Sequence, residues 1–224
     1  MRMMGAMSEW LTVLIMTAGF GSVPTGLIVA RQVAEMDIRE VGSGNIGATN
    51  IYRILGLKWA AAVFVADTFK GVVPILLARI LIGPWGMAVA AVVAVSAHIW
   101  NPWLRFKGGK GVSTAFGALL MISPVAALAT LAVWGIVFWR KKIVSLASLS
   151  AAAAIPLAML VRNYDSIKLA PMMFAAVALA GLVFYSHREN IGRLRRGEEK
   201  PTTRLLPGDD EKKAGRPEKP SSPR

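Results

Sequence analysis

The chain contains no cysteine, so it can build neither a disulfide scaffold nor a thiolate nucleophile. Histidine is nearly absent as well: His98 and His187 are the only two. That excludes a His-rich metal site and the helical metalloprotease motif. Charge is scarce at 17% of residues, against roughly a quarter in a soluble domain. It is also segregated, since residues 59–69, 86–97 and 115–139 carry almost none. What fills the space is apolar: 54% of residues are hydrophobic and the mean hydropathy is +0.50. The chain reads as an all-α integral membrane protein, with its chemistry confined to the helices and their short loops. The formal net charge of +13 gathers at the ends of apolar runs and in the tail. Membrane topology explains that placement without a nucleic-acid partner. Arg2 is the only early base, and the apolar run from Trp10 continues through Pro24 and Gly26 to Arg31. It reads as a first membrane helix rather than a cleaved signal.

Six apolar runs are visible. The first covers residues 8–30 and contains Gly19, Gly21, Ser22, Pro24, Thr25 and Gly26. Its glycines suit close helix packing, and Pro24 should kink the helix or free backbone carbonyls. Residues 31–56 form a polar connection. The second run, 57–81, holds Asp67 and Lys70 on one helical face. Charges in such a helix face a bundle interior or a polar cavity, so this pair is either a structural ion pair or part of a site. The third run covers 85–100, and the fourth is the long stretch 112–139, ended by Arg140-Lys141-Lys142. The last two are 143–161 and 169–185. Positive charge belongs on the cytoplasmic side. A single crossing by 112–139 would put both the 140–142 cluster and the arginine-rich tail outside. Two shorter crossings hinged near Ser123-Pro124 return them inside. The expectation is therefore seven transmembrane helices, one or two of them short or re-entrant, with the N-terminus outside and the C-terminus cytoplasmic. Residues 1–200 form one transmembrane domain, and 201–224 are expected to be a disordered cytoplasmic tail.

Three polar clusters then share the cytoplasmic face. The first is Gly42-Ser43-Gly44-Asn45-Ile46-Gly47-Ala48-Thr49-Asn50, followed by Arg53. Its glycines permit tight turns, and successive backbone N–H groups can form a concavity for an oxyanion. The second is residues 98–114, with Trp100 and Trp103 as interfacial anchors and Arg105, Lys107 and Lys110 interleaved with glycines. The third is His187-Arg188-Glu189-Asn190, whose first and last members share a helical face. Several short motifs mislead. The literal Gly-x-Gly-x-x-Gly at 42–47 lacks the strand and βαβ unit that dinucleotide binding requires. Lys107-Gly-Gly-Lys110 is followed by Gly111 where a P-loop needs serine or threonine. No glycine-framed serine elbow is present. The inventory supplies cations for phosphate, amides for an oxyanion, hydroxyls for a polyol and apolar helices for an acyl chain. It fits an enzyme joining a small phosphorylated solute to a lipid chain. A transporter of organic phosphates is the alternative, but the internal span repeats expected of one are not visible.

The same blocks resemble a known family, the acyl-phosphate-dependent glycerol-3-phosphate acyltransferases of bacterial membranes (PlsY family). The resemblance rests on Gly21-Ser22-Val23-Pro24-Thr25-Gly26, on residues 42–50 with Arg53, and on 98–114 centred on Phe106-Lys107-Gly108-Gly109-Lys110-Gly111. Asp67-x-x-Lys70-Gly71 and His187-x-x-Asn190, followed by Gly197 and Glu198, are similar to two further family features. It covers roughly residues 10–200 in order. The His-x4-Asp motif of other glycerol-phosphate acyltransferases is absent here, since the fifth residue after His98 is Trp103.

The resemblance implies transfer of an acyl group from acyl phosphate to the 1-hydroxyl of sn-glycerol 3-phosphate. The products are lysophosphatidic acid and inorganic phosphate, in the first acylation of bacterial phospholipid synthesis. It implies a multi-pass inner-membrane enzyme facing the cytoplasm, surrounded by membrane lipids, with no cofactor or metal; a monomer is expected. Ser43, Asn45, His187 and Asn190 are the candidate catalytic groups. Candidate substrate-binding residues are Arg53, Lys107, Lys110, Gly42, Gly44, Gly47, Thr49, Asn50, Gly108, Gly109, Ser113 and Lys70. Arg53 leads the phosphate ligands because a guanidinium binds phosphate in bidentate fashion. No acid–base constellation is evident, and the donor's own phosphate oxygens could take the attacking hydroxyl's proton.

Overall fold

A computed structural model describes residues 2–160 and 166–202. Expectations for residues 203–224, and for Arg162 and Asp165, lie outside the described residues. Ten α-helices account for most of the described chain. They are α1 (Arg2–Gly21), α2 (Thr25–Ala34), α3 (Ala48–Leu55), α4 (Leu57–Leu81) and α5 (Pro84–Ile99), then α6 (Val112–Ile122), α7 (Pro124–Lys141), α8 (Val144–Leu160), α9 (Ser166–Ser186) and α10 (Arg188–Arg195). A short 3-10 turn, Pro102–Leu104, follows α5.

Five stretches are long and apolar enough to cross a membrane: Met7–Ala34, Leu57–Leu81, Pro84–Leu104, Pro124–Lys141 and Ile167–Ser186. Val112–Ile122 and Val144–Leu160 are apolar but shorter. The protein is thus all-α and multi-pass. The long apolar stretch does divide where Ser123-Pro124 suggested. Ser123 is extended and its hydroxyl accepts the Ala126 N–H at 3.3 Å, while Pro124 occupies the first helical position, where no N–H is needed. The cost of the break is length: the 11 residues of α6 rise only about 17 Å, against a hydrocarbon core of about 30 Å.

The first apolar run is two helices rather than one. The chain leaves helical geometry at residues 22–24 and resumes at Thr25. The carbonyls released there are used: Asn101 Nδ2 donates to Ser22 O and Lys70 Nζ to Val23 O, both at 2.5 Å. Gly21 packs as expected, since a Cβ there would lie 2.8 Å from the Ala94 carbonyl of α5. Gly19 does not, because nothing stands within 4 Å of its Cβ position. The polar connection 31–56 also holds unanticipated helix, namely the end of α2 and all of α3.

The core is assembled from small residues. Helix α4 crosses α6 so closely that a Cβ on Gly71 would come within 2.2 Å of the Thr114 carbonyl. Close approach of backbones is how helices associate where lipid removes the hydrophobic drive between them. Around this contact α5, α8 and α9 pack their alanines, with Ala90, Ala91, Ala152 and Ala176 buried. A second, smaller cluster under residues 38–51 joins Ile38, Ile46 and Ile51 to Val63 of α4 and to Leu104. It seats the glycine-rich loop on the bundle.

Candidate active site

The loop at 42–50 is held from inside by one amide. Asn50 is 1% exposed. Its Oδ1 accepts the Ser43 N–H at 2.9 Å, while its Nδ2 donates to the carbonyls of Ile38 (3.1 Å) and Val41 (3.0 Å). Gly42 (φ +62°) and Gly44 (φ +70°) take the left-handed turns that bring the chain around this amide. Asn45 Oδ1 accepts the Gly47 N–H at 2.9 Å, closing a second local turn. Gly47 caps α3, whose opening residues Ala48 and Thr49 line a cavity. The first N–H groups of any helix lack intrahelical partners and favour an anion.

The second block folds back on the end of α5. The Gly108 and Gly109 N–H groups donate to the carbonyls of Ile99 (2.9 Å) and His98 (3.1 Å). A Cβ on Gly108 would lie 2.0 Å from the His98 carbonyl, so this return needs glycine. Lys107, at the turn, is exposed. Lys110 turns inward, where its Nζ donates to Asn190 Oδ1 at 2.5 Å and its carbonyl accepts from Ser186 Oγ at 2.9 Å.

The third block is the corner between α9 and α10. His187 is 1% exposed, and its Nδ1 donates to the Val183 carbonyl at 2.8 Å. With Nδ1 protonated, the neutral ring offers the Nε2 lone pair. Asn190 Nδ2 donates to Glu199 Oε1 at 2.5 Å, and Ser145 Oγ of α8 donates to the same oxygen at 2.6 Å. Arg193 Nε donates to Glu199 Oε2 at 2.5 Å. Just beyond, the Thr202 N–H donates to the Lys142 carbonyl at 2.7 Å, tying the chain across to the α7–α8 turn.

All three blocks open on one cavity of about 1430 Å³. Ordinary small-molecule pockets hold roughly 300–1,000 Å³, so this one has room for a lipid chain beside a small solute. Its polar end carries Arg53, Lys107, Lys110, His187, Asn190 and Arg193, and its apolar wall carries Phe64, Phe116, Leu119, Leu131, Trp134 and Ile155. Burial lowers the Lys110 pKa to about 8, with Arg53 and Arg193 pushing the same way and Glu199 opposing them. Burial also lowers Arg53 from its usual range. Burial, with Lys110 adding to it, brings His187 down to about 4, so its ring is neutral at physiological pH. Burial works against the Glu199 carboxylate, but the bonds from Ser145, Arg193 and Asn190 outweigh it and hold its pKa low. The polar end thus holds two cations that burial partly desolvates, Lys110 and Arg53, beside an Arg193–Glu199 ion pair. Among the described residues no cluster of three or more His, Asp or Glu could hold a metal ion.

Of the residues singled out from sequence, Ser43, Asn45, Arg53, Thr49, Ser113, His187 and Asn190 line this cavity, as do Lys107, Lys110 and the glycines at 42, 44, 47, 108 and 109. Asn50 also lines it, but its amide is committed to the loop. Lys70 is not among the lining residues. It is 2% exposed, and its three donors go to Val23 O, Thr25 Oγ1 and Asp67 Oδ1. That makes it a structural cation rather than a substrate ligand, because the break at Pro24 supplies an acceptor that spacing along α4 could not reveal. Sequence reasoning missed Glu199, Arg193 and Ser145. Of the adjacent acids, Glu198 pairs with exposed Arg196 at 2.7 Å, while Glu199 turns inward. The resemblance points to Glu198 after Gly197; past the end of α10 the structure instead turns its neighbour Glu199 inward.

The family model described as glycerol-3-phosphate acyltransferase matches residues 11–197. A glycerol-3-phosphate acyltransferase of Geotalea daltonii is 45% identical over 181 residues, covering 80% of this chain and 90% of its own. One from an Anaeromyxobacter species is 43% identical over 197 residues, covering 85% and 96%. Among solved structures, the glycerol 3-phosphate form of PlsY, an integral membrane glycerol 3-phosphate acyltransferase, superposes with a TM-score of 0.81 at 37% identity, covering 87% of this chain and 96% of that one. Its lysophosphatidic acid form gives 0.78, also at 37% identity, covering 86% and 94%. With the match running from α1 to the end of α10, this chain belongs to the PlsY-type family of bacterial membrane glycerol-3-phosphate acyltransferases.

Proposed function

We infer that this protein transfers an acyl group from acyl phosphate to the 1-hydroxyl of sn-glycerol 3-phosphate, giving lysophosphatidic acid and inorganic phosphate. The reaction is the first acylation of bacterial phospholipid synthesis. One observation carries the reading at this site: a single cavity has cations at one end, Arg53 and Lys110 among them partly desolvated, and an apolar wall at the other. Two phosphorylated substrates, one with a lipid tail, need that combination.

In the mechanism we favour, Arg53 and Lys110, with Lys107 at the rim, hold the phosphate of glycerol 3-phosphate. The Ser43 hydroxyl and the N–H groups of Ala48 and Thr49, which open α3, receive the donor's phosphate and the charge that develops on the carbonyl oxygen. The neutral His187, with Nδ1 anchored on Val183, accepts a hydrogen bond from the acceptor's 2-hydroxyl through Nε2, which aims the 1-hydroxyl and leaves its proton free to pass to a donor phosphate oxygen. Asn190 steadies Lys110. The hydroxyl oxygen attacks the acyl carbon, the bond from that carbon to the phosphate oxygen breaks, and the phosphate leaves carrying the proton. No covalent acyl-protein is formed. The protein contributes orientation and charge neutralisation. Seven crossings complete this reading, counting α6 as a short one, with the N-terminus outside, the site facing the cytoplasm and the chain acting as a monomer.

The test is product formation by purified protein in lipidic medium, with glycerol 3-phosphate and, separately, palmitoyl phosphate, palmitoyl-CoA or palmitoyl carrier protein. Lysophosphatidic acid and phosphate from palmitoyl phosphate alone is the expected result. Product only from thioesters overturns the donor, and labelled acyl protein before acceptor is added overturns direct transfer.

A further inference from the structure

A buried cluster that reaches the cavity wall at Asp67 and His98 takes no part in this mechanism. Asp67 and Lys70 of α4 are each 2% exposed, with Nζ 2.6 Å from Oδ1. Lys70 also donates to the Val23 carbonyl and to Thr25 Oγ1, and the Thr25 hydroxyl donates to Asp67 Oδ1. The α1–α2 break is thereby tied to α4. Facing the same carboxylate is His98 of α5, 3% exposed, its Nδ1 4.0 Å from Asp67 Oδ1 and without a hydrogen-bond partner. A buried polar atom left without a partner is costly. At 4.0 Å the Asp67 oxygen lies beyond hydrogen-bond reach but on the side to which this edge of the ring turns.

The other edge of the ring bears on the turn that carries the phosphate ligands. A Cβ on Gly109 would lie 2.1 Å from His98 Nε2, and the next nearest atoms, at 3.0 and 3.1 Å, belong to the same ring. The His98 carbonyl accepts the Gly109 N–H at 3.1 Å. Lys110 is the next residue. The path from Asp67 through His98 and Gly109 therefore ends at a cation facing the substrate.

We propose that His98, oriented by Asp67, is the seat of the Gly108–Gly109 turn, so that the two act as positioning residues that set Lys110 for the phosphate of glycerol 3-phosphate. This deepens the reading above and rests on Lys110 being a phosphate ligand. Core packing alone requires His98 to fill space. Positioning requires more: its removal must change acceptor affinity in protein that is still folded.

The experiment is a mutant cycle read as separate KM and kcat values, with thermal unfolding in detergent as the check on folding. Gly109→Ala drives a methyl into the ring and should raise the KM for glycerol 3-phosphate by about tenfold or more, as misplacement by an ångström can. His98→Ala should raise the same KM by a smaller factor, with kcat and the KM for acyl phosphate little changed. The Gly109→Ala/His98→Ala double variant should recover toward His98→Ala alone, because the three nearest atoms are then gone. Asp67→Leu/Lys70→Met removes both charges together, so no lone buried charge remains. It should raise the acceptor KM as His98→Ala does. If His98→Ala does not fold, His98→Ser, which also removes the ring atoms, replaces it in the cycle. An unchanged acceptor KM in folded His98 or Asp67/Lys70 variants, or simple additivity in the cycle, overturns the proposal. Lys110→Ala separates the two layers. If it leaves the acceptor KM unchanged, the phosphate reading itself falls; if it raises that KM while His98→Ala does not, only the positioning role falls.

Discussion

Changing Glu199 to glutamine keeps the side chain's length and removes one charge. In the folded protein Oε1 accepts from Asn190 and Ser145 and Oε2 accepts from Arg193. A carboxamide has one acceptor oxygen, so either orientation sets an NH2 against a donor. The less costly one keeps the oxygen on Asn190 and Ser145 and gives up the bond from the guanidinium. A hydrogen bond to a charged group contributes about 1.5–3 kcal/mol. Glu199 is only 11% exposed, but the Arg193 side chain is 40% exposed and recovers water, so the lower part of that range applies. A stability loss of about 1.5–2 kcal/mol follows, roughly tenfold to thirtyfold in the folding equilibrium. A second effect reaches the chemistry. Glu199 opposes the burial that brings the Lys110 pKa down to about 8. Without its charge that pKa falls further, and less of the ammonium is protonated in neutral and mildly alkaline solution. The assay is initial rate against glycerol 3-phosphate concentration, run at about pH 6.5 and about pH 8.5 to bracket the lysine, with thermal unfolding alongside. The variant's KM should exceed that of the parent more at the higher pH than at the lower. An unfolding temperature equal to the parent's, or the same KM ratio at both pH values, refutes the reasoning.

Three other outcomes are expected. In the parent protein the KM for glycerol 3-phosphate should rise as pH climbs through about 8, because Lys110 holds its positive charge below its pKa and loses it above; a flat profile removes Lys110 from phosphate binding. Asn50→Asp keeps the acceptor for Ser43 but turns a carboxylate oxygen toward the carbonyls of Ile38 and Val41, so stability should fall by about 2 kcal/mol or more and turnover with it, readable by unfolding and rate in one preparation. Lys70→Met strands the Asp67 carboxylate and should cost about 3–5 kcal/mol; a stable variant with only a raised acceptor KM would return Lys70 to the substrate site.

The membrane helices were readable because their signal is additive along the chain: each apolar run needs only composition. Even the division at Ser123-Pro124 followed from the placement of Arg140-Lys141-Lys142 and the arginines of α10. The short helix α3 was not readable, since eight residues in a polar connection give too little periodicity. At the site, the three blocks were visible because glycines, amides and cations cluster in an otherwise apolar chain, and the cavity unites them. Partner assignment within the blocks was not visible. Whether Lys70 meets substrate or the Val23 carbonyl depends on where α1 stops. Whether Glu198 or Glu199 turns inward depends on the path after Gly197, where φ is +70°. Such choices are made by tertiary geometry among neighbours that look alike in one dimension.

The break between α1 and α2 has an evolutionary corollary. Its two bonds to Lys70 and Asn101 are made by the peptide oxygens of Val23 and Ser22, which every residue type possesses. The Val23 side chain, 36% exposed, has little say in them. Position 23 should therefore drift freely among apolar residues in natural variants and score as permissive in a saturation library. Adding or deleting one residue between Gly21 and Pro24 should be lethal, because it moves the oxygens themselves. Here selection reads the count of residues rather than the identity of one of them.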